Sequence, residues 1–493
     1  MASPHDLSAA AHVRRRTIAG MRGALALNVG TLPLSFVTNL ILGRISPETL
    51  GYYSGIQIFI GSYFTFLVFG GIFVFTRFVP SFPPRDRVPF LASYTGLVAS
   101  ISAIAIAAAL LVAPETVAGM LARFGGPHAG VACALLAASL VWGFGSYFLY
   151  SVLEATKATI VDKASVAGFF VAALCAWGPL RDRLAADPAG YLWWSALAVY
   201  AASALLAAVL VVRTGEFRAR APIRWTLPPR FLPTVVYTHL DTIANYVYAT
   251  LSLAMVLFWL DAAALGVLTA AMRYVALLVL LPATMASVIG PAASRLEAAG
   301  MRGEAFRQAG AAMRTVDLGL VPAVVVLILF ADDAMALFGP GFRGSGDVLR
   351  LAAVSLAAAP AIHVGAALAA GLGAFRAYLA ASSIGVIATI LGIAVLVPRY
   401  GLPGAAVALT VGAAARQAVV LGVLRARLGF PWPGRLGAGW AVTLAALLIS
   451  LTVRPDRPLA AAAALGLVAL FGVIGRVRWG EIRSIADKAV RGR

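Results

Sequence analysis

Residues 97–113 read LVASISAIAIAAALLVA, an apolar run with no charge and no turn residue. A run of about 17–25 such residues crosses about 30 Å of hydrocarbon as a helix. About fourteen can be drawn along the chain: 22–43, 52–75, 88–112, 129–153, 160–178, 191–212, 232–259, 263–290, 315–338, 348–371, 375–397, 402–424, 437–453 and 458–474. Turn residues fill the breaks, such as Pro83-Pro84, Gly339-Pro340-Gly341 and Pro431-Trp432-Pro433. Composition agrees. Only 12% of the residues are charged and 61% are hydrophobic, against about 25% and 45–50% in a soluble domain. A soluble enzyme, a coiled coil and a disordered chain are excluded. A transmembrane β-barrel would alternate over segments of about ten residues, and these runs are continuous. The expected fold class is an all-α polytopic membrane protein.

The charges set the direction of threading. The formal net charge is +19. With the N-terminus inside, outer loops hold only Arg44, Arg123, Arg181, Arg183, Arg343, Arg350, Arg399, Arg454 and Arg457. Arg273 and Arg416 fall inside segments, and all other Lys and Arg lie on the inner side. This bias predicts cytoplasmic termini and an even helix number. It accounts for the basic charge without nucleic acid, and it attracts anionic membrane lipids. Arg14-Arg15-Arg16 superficially resembles a twin-arginine signal but reads as the cytoplasmic anchor of the first span.

The longest inner loop, 213–231, divides the first twelve segments six and six. Leu50-Gly51-Tyr52 with Arg77 and Pro80, and Leu265-Gly266-Val267 with Pro291 and Arg295, recur at equivalent places in the halves. The expected organisation is a cytoplasmic segment 1–21, an N-lobe 22–212, a basic linker 213–231, a C-lobe 232–424, a helix pair 437–474 and a basic tail 475–493.

Ionisable groups at bilayer depth are expensive, so each is a functional candidate. Asp241 and Arg273 each lie about ten residues into their segments, about 15 Å deep. A short link around Asp261 makes those segments antiparallel neighbours, so the two can form either a structural ion pair or a site in which Asp241 tunes Arg273 or binds a cation. Asn245 and Tyr248 follow Asp241 on one helix face. Polar stripes also run along Asn28, Thr31, Ser35, Thr38 and Asn39; along Ser54, Gln57 and Gly61; and along Ser139, Trp142, Ser146 and Tyr150. Such stripes line a pathway or bind helices together. Arg416, about eight residues from an inner end, can snorkel. Asp317 falls close to the inner end of segment 315–338, and Asp332 and Asp333 near its outer end read as solvated.

No Walker A, HExxH or GxSxG motif occurs. Cys133 and Cys175, both in apolar runs, and the five histidines make no metal or disulfide framework. No catalytic residue, metal or cofactor is expected.

Leu42-Gly43-Arg44 through Leu50-Gly51-Tyr52-Tyr53 to Arg77-Phe78-Val79-Pro80 resembles the opening of the polysaccharide flippases of the MOP (multidrug/oligosaccharidyl-lipid/polysaccharide) exporter superfamily. So do Ala264-Leu265-Gly266-Val267 through Ala270-Ala271-Met272-Arg273-Tyr274 to Pro291, Ser294 and Arg295, and Tyr400-Gly401-Leu402-Pro403-Gly404-Ala405-Ala406. The resemblance implies two six-helix lobes around a central cavity, plus a C-terminal helix pair. It implies alternating-access transport of undecaprenyl-diphosphate-linked oligosaccharide across the bacterial inner membrane, for polysaccharide biosynthesis and export beside polymerase and export proteins. Arg273 is the cationic cavity position it carries over, and a diphosphate in low dielectric needs such a partner. The chain departs from the family in having no deep Arg or Lys in the first half.

The expected cavity set is therefore Arg273, Asp241, Asn245, Tyr248, Asn28, Gln57 and Arg416, with Asp241 as coupling-ion candidate. Two other readings stand beside it. A drug or metabolite antiporter of the same superfamily would use an acidic, aromatic site. A membrane glycosyltransferase, ligase or polymerase would need acids on larger outer loops than these.

Overall fold

The computed structural model describes residues 27, 30–31, 33–68, 74–75, 79, 82–124, 129–152, 154–214, 236, 239–240, 242–243, 246–247, 250, 252–298, 300–431 and 435–474. Among these the regular structure is all helical, without a strand. In hydrocarbon the backbone must satisfy its own N–H and C=O groups, and a helix does so within one segment. Nine described helices are long and apolar enough to cross a membrane, and two shorter apolar ones, Pro33–Ile45 and Gly437–Thr452, accompany them. The protein is a multi-pass membrane protein, and its helices follow the expected order. The chain divides into two compact units, 1–246 and 247–493.

In the first unit, α1 (Pro33–Ile45) leads through Ser46 into α2 (Pro47–Leu67). The start of α2 is built from its sequence: Ser46 Oγ accepts from the Thr49 N–H at 3.0 Å, and Pro47 takes the first turn, where its missing N–H is harmless. This start precedes the apolar run beginning at 52. Next come α3 (Pro84–Val112), the short α4 (Pro114–Arg123), α5 (Ala129–Ser151), α6 (Ala155–Trp177), α7 (Arg181–Ala186) and α8 (Pro188–Val212). Asp187 caps α8 from the Gly190 N–H at 2.8 Å. The core is aromatic. Phe75, Phe90, Tyr94, Phe144 and Phe148 are buried together, and Tyr94 stacks on Phe144 with ring centres 5.4 Å apart. A Cβ on Gly145 would meet Ala207 at 2.7 Å, so α5 and α8 approach as closely as small residues allow.

In the second unit, α9 (Ser252–Trp259) is followed by α10 (Ala262–Ala298), capped by Asp261 from the Ala264 N–H at 2.7 Å. Then come α11 (Arg302–Leu329), α12 (Ala331–Ala336) and α13 (Gly346–Val354). A 3-10 turn at Ser355–Ala358 and a π turn at Ala361–Gly365 flank Pro360, which cannot donate, before α14 (Ala366–Gly371). The long α15 (Phe375–Leu428) is two helices joined at Gly401, whose φ of 60° and ψ of −138° break the rod. Three residues on, a Cβ at Gly404 would stand 2.3 Å from the Leu396 carbonyl oxygen. The two glycines of Tyr400-Gly401-Leu402-Pro403-Gly404 thus make a tight turn between spans. α16 (Arg435–Thr452) and α17 (Arg457–Ile474) pack on α11.

The bounds of α11 correct the reading of segment 315–338. The helix begins at Arg302 because Glu304 pairs with Arg307 and accepts from Gln308 within its exposed first turns. A charged helical overhang carries no apolar signal. Asp317 therefore lies at mid-helix and is buried, 3% exposed, rather than close to the helix end. The side chains of Asp332 and Asp333 are exposed, as expected, and each also holds an arginine. Arg350, side chain 6% exposed, donates to Asp332 Oδ2 at 2.5 Å, Asp347 Oδ1 at 2.7 Å and Ser450 Oγ at 2.7 Å, while Arg457 donates to Asp333 at 2.6 Å. This network ties α16 and α17 to α12 and α13. Arg350→Met should lower the melting temperature of the purified protein, at a loss of about 1–3 kcal/mol, because two carboxylates and a buried hydroxyl lose their donor. Arg457→Met, at an exposed pair, should change it little. Equal effects of the two would contradict this account.

Candidate functional site

Of the seven expected cavity residues, Asn28, Asp241, Asn245 and Tyr248 lie outside the described residues, so the expected Asp241–Arg273 pairing does too. Arg273 is the twelfth residue of α10, about 16 Å from its start. The buried face of α10 carries Leu268, Ala271 and Val275. Arg273, half-buried, follows the buried Thr269 and Ala270 by one turn and borders the exposed Ala276 and Leu280. Its neighbour Tyr274 turns away, donating to the Ala334 carbonyl at 2.6 Å and packing its ring on Phe338. Arg273 is thus a half-buried cation midway along the apolar span 262–286.

Arg416 belongs to a different environment. It is 7% exposed within the second unit, so its charge is not carried out to a solvated helix end as snorkelling would require. Gly385 admits it, since a Cβ there would meet the Arg416 Cβ at 2.8 Å. Its charge acts on His363 in the π turn. Gln417, next in sequence, accepts from the Trp440 indole N–H at 2.8 Å. Gln57 is half-buried on α2 in the first unit.

The polar stripes separate by role. On α1 and α2, Thr31, Thr38, Asn39 and Ser54 each donate to a carbonyl four residues earlier. On α5 the stripe binds a neighbouring helix. Trp142 Nε1 donates to the Val161 carbonyl at 2.9 Å, Ser146 Oγ to Asp162 Oδ1 at 2.5 Å, and Tyr150 OH to Asp162 Oδ2 at 3.0 Å. Tyr150 OH also lies 3.2 Å from Thr159 Oγ1.

Asp162 was not among the expected residues. Its sequence neighbours Lys157 and Lys163 place it at a solvated segment edge. The structure begins α6 at Ala155, two turns into which Asp162 is partly buried. The available signal was Ser146 and Tyr150, four apart on the preceding segment with nothing apparent to bind. Asp317 and His363 were likewise missed, the first because α11 was drawn too short and the second because a single histidine in an apolar run carries no pattern. Among the described residues no three His, Cys, Asp or Glu are grouped to hold a metal ion.

Tyr246 supplies a further anchor. Its OH donates to the Ile58 carbonyl at 2.6 Å and bonds Ser62 Oγ at 2.9 Å, and Gly61 leaves room for its ring.

No protein-family model and no curated protein sequence matches the chain. Solved structures do match. The lipid II flippase MurJ in an inward closed conformation aligns with a TM-score of 0.66 at 14% identity, covering 92% of this chain and 98% of that one. An inward-facing multidrug resistance MATE family transporter of the MOP superfamily gives 0.58 at 16% identity, covering 83% and 94%. A MOP superfamily transporter from Pyrococcus furiosus gives 0.52 at 15% identity, covering 87% and 96%. The chain has the fold of the MOP superfamily transporters, and these neighbours are transporters and a flippase rather than enzymes.

Tyr246→Phe should loosen the attachment to α2, at a loss of about 1 kcal/mol, seen as faster amide exchange around residues 52–62. Unchanged exchange there would remove Tyr246 as an anchor.

Proposed function

We propose that this protein is a flippase that moves lipid-linked oligosaccharide, of the undecaprenyl-diphosphate type, from the cytoplasmic to the outer face of the bacterial inner membrane. One observation carries the reading: Arg273 sits midway along the apolar span 262–286 and is only half-buried there. A guanidinium at that position suits a diphosphate, which it can bind through two parallel N–H···O bonds. The fold likeness to a lipid II flippase over 92% of the chain supports the same class.

Gln57, with Asn28, Asn245 and Tyr248, is proposed to line the pathway, and Asp241 to bind the coupling ion; Arg416, buried within the second unit, is proposed only to support that pathway. The excess of Lys and Arg on one side supports cytoplasmic termini. Membrane lipids surround the substrate's tail, and a polymerase and export proteins would take the glycan onward. The antiporter reading draws on the likeness to the MATE transporter at a TM-score of 0.58. Arg273 disfavours it for cationic substrates, since like charges repel.

The test is the fate of lipid-linked oligosaccharide in cells. A deletion and Arg273→Ala should both leave intact precursor on the cytoplasmic face, with Arg273→Lys retaining partial transport. Precursor reaching the outer face unpolymerised in the deletion would favour the enzyme reading. No change in glycan would favour the antiporter.

A further inference from the structure

We infer that Asp162 is a proton-binding site of the first unit, and that a proton there re-pairs the contact between α5 and α6. Its use in driving transport rests on the function proposed above; proton binding itself does not.

The geometry is that of a carboxylate held by neutral donors alone. Ser146 and Tyr150, four residues apart on α5, each donate to one carboxylate oxygen. No ion pair to Asp162 is formed among the described residues, although Lys163 lends some positive charge. Glu154 and Lys157, at the start of α6, pair with each other at 3.3 Å. From α5 the titratable neighbours are Tyr147 and Tyr150. From α8, packed on both helices, Tyr191 donates to the Ala172 carbonyl and Tyr200 lies ring to ring with Trp142 and Phe169. Arg213, just past the end of α8, is exposed. Arg181, Asp182 and Arg183 of α7 follow the other end of α6. The wall beside the carboxylate is aromatic, with Phe64 packed on Trp142 and Tyr147.

A charge so placed is expensive in a membrane, and a proton removes it without needing a cavity or a ligand set. A metal ion is a poorer fit, because both hydroxyls turn their protons toward the carboxylate and, among the described residues, no three His, Cys, Asp or Glu are grouped to hold one. The proton also changes the bonding. An ionised carboxylate only accepts, whereas a carboxylic acid donates from one oxygen. With the proton on Oδ2, Tyr150 can no longer donate to that atom as before, and Thr159 Oγ1, 3.2 Å from its OH, is the acceptor at hand. One proton thus reverses the Tyr150–Asp162 bond, Oδ2 now donating to the phenol oxygen, and turns the Tyr150 O–H toward Thr159, one turn nearer the start of α6.

The test uses the purified full-length protein in phosphatidylethanolamine–phosphatidylglycerol vesicles, read by infrared difference spectroscopy as pH is changed. Wild type should show a carboxylic-acid stretch that appears on acidification. Asp162→Asn should lack it. Tyr150→Phe should move its midpoint by roughly tenfold in proton concentration, and Tyr191→Phe should leave it in place. A titrating band undiminished in Asp162→Asn, or a midpoint unmoved by Tyr150→Phe, would overturn the proposal. Should Asp162→Asn fail to fold, Tyr150→Phe and Ser146→Ala carry the test. A titrating band lost in Asp162→Asn, together with normal glycan in the deletion strain, would uphold the proton site and reject the proposed substrate.

Discussion

Hydrocarbon offers no hydrogen bonds, and the rest of this structure follows from that fact. Each span is a helix because only a helix satisfies its own backbone. Side-chain polar groups obey the same rule. Thr38, Asn39 and Ser54 return to carbonyls of their own helices. Ser146, Trp142 and Tyr150 reach across to α6. Arg350 gathers Asp332, Asp347 and Ser450 and fastens the last helix pair to the second unit. Against this background, a half-buried cation in the middle of an apolar span is unusual, and Arg273 has that position.

Ionisable groups are distributed differently in the two units. The second holds Arg273, the buried Arg416 beside His363, and the buried Asp317. The first holds an aromatic core and, among its described residues, a partly buried carboxylate, Asp162, secured by hydroxyls. A half-buried cation in one unit and a neutralisable acid in the other would suit a carrier whose cargo is anionic and whose motion is coupled to protons.

Much of the fold was legible because hydrophobic thickness is written directly into run length. The link at Asp261, the break at Gly401 and the order of the spans could all be read in that way. Boundaries were harder where a helix continues past the apolar region. Arg302, Glu304 and Arg307 look like a loop by composition, yet they form the exposed first turns of α11, so Asp317, read as the end of a helix, is instead buried well inside one. The same ambiguity hid Asp162, since two lysines beside an acid read as a solvated edge. Its role depends on Ser146 and Tyr150 from another helix, a pairing that exists only after folding. Arg273 was visible because a cation in mid-run needs no partner to be noticed.

The most direct test of the proposed function is transbilayer movement of a lipid-linked oligosaccharide in vesicles containing the purified protein and nothing else. The account predicts faster exposure of the glycan on the opposite face with wild type than in protein-free vesicles, with most of that gain lost in Arg273→Ala. Equal rates with and without the protein would contradict it.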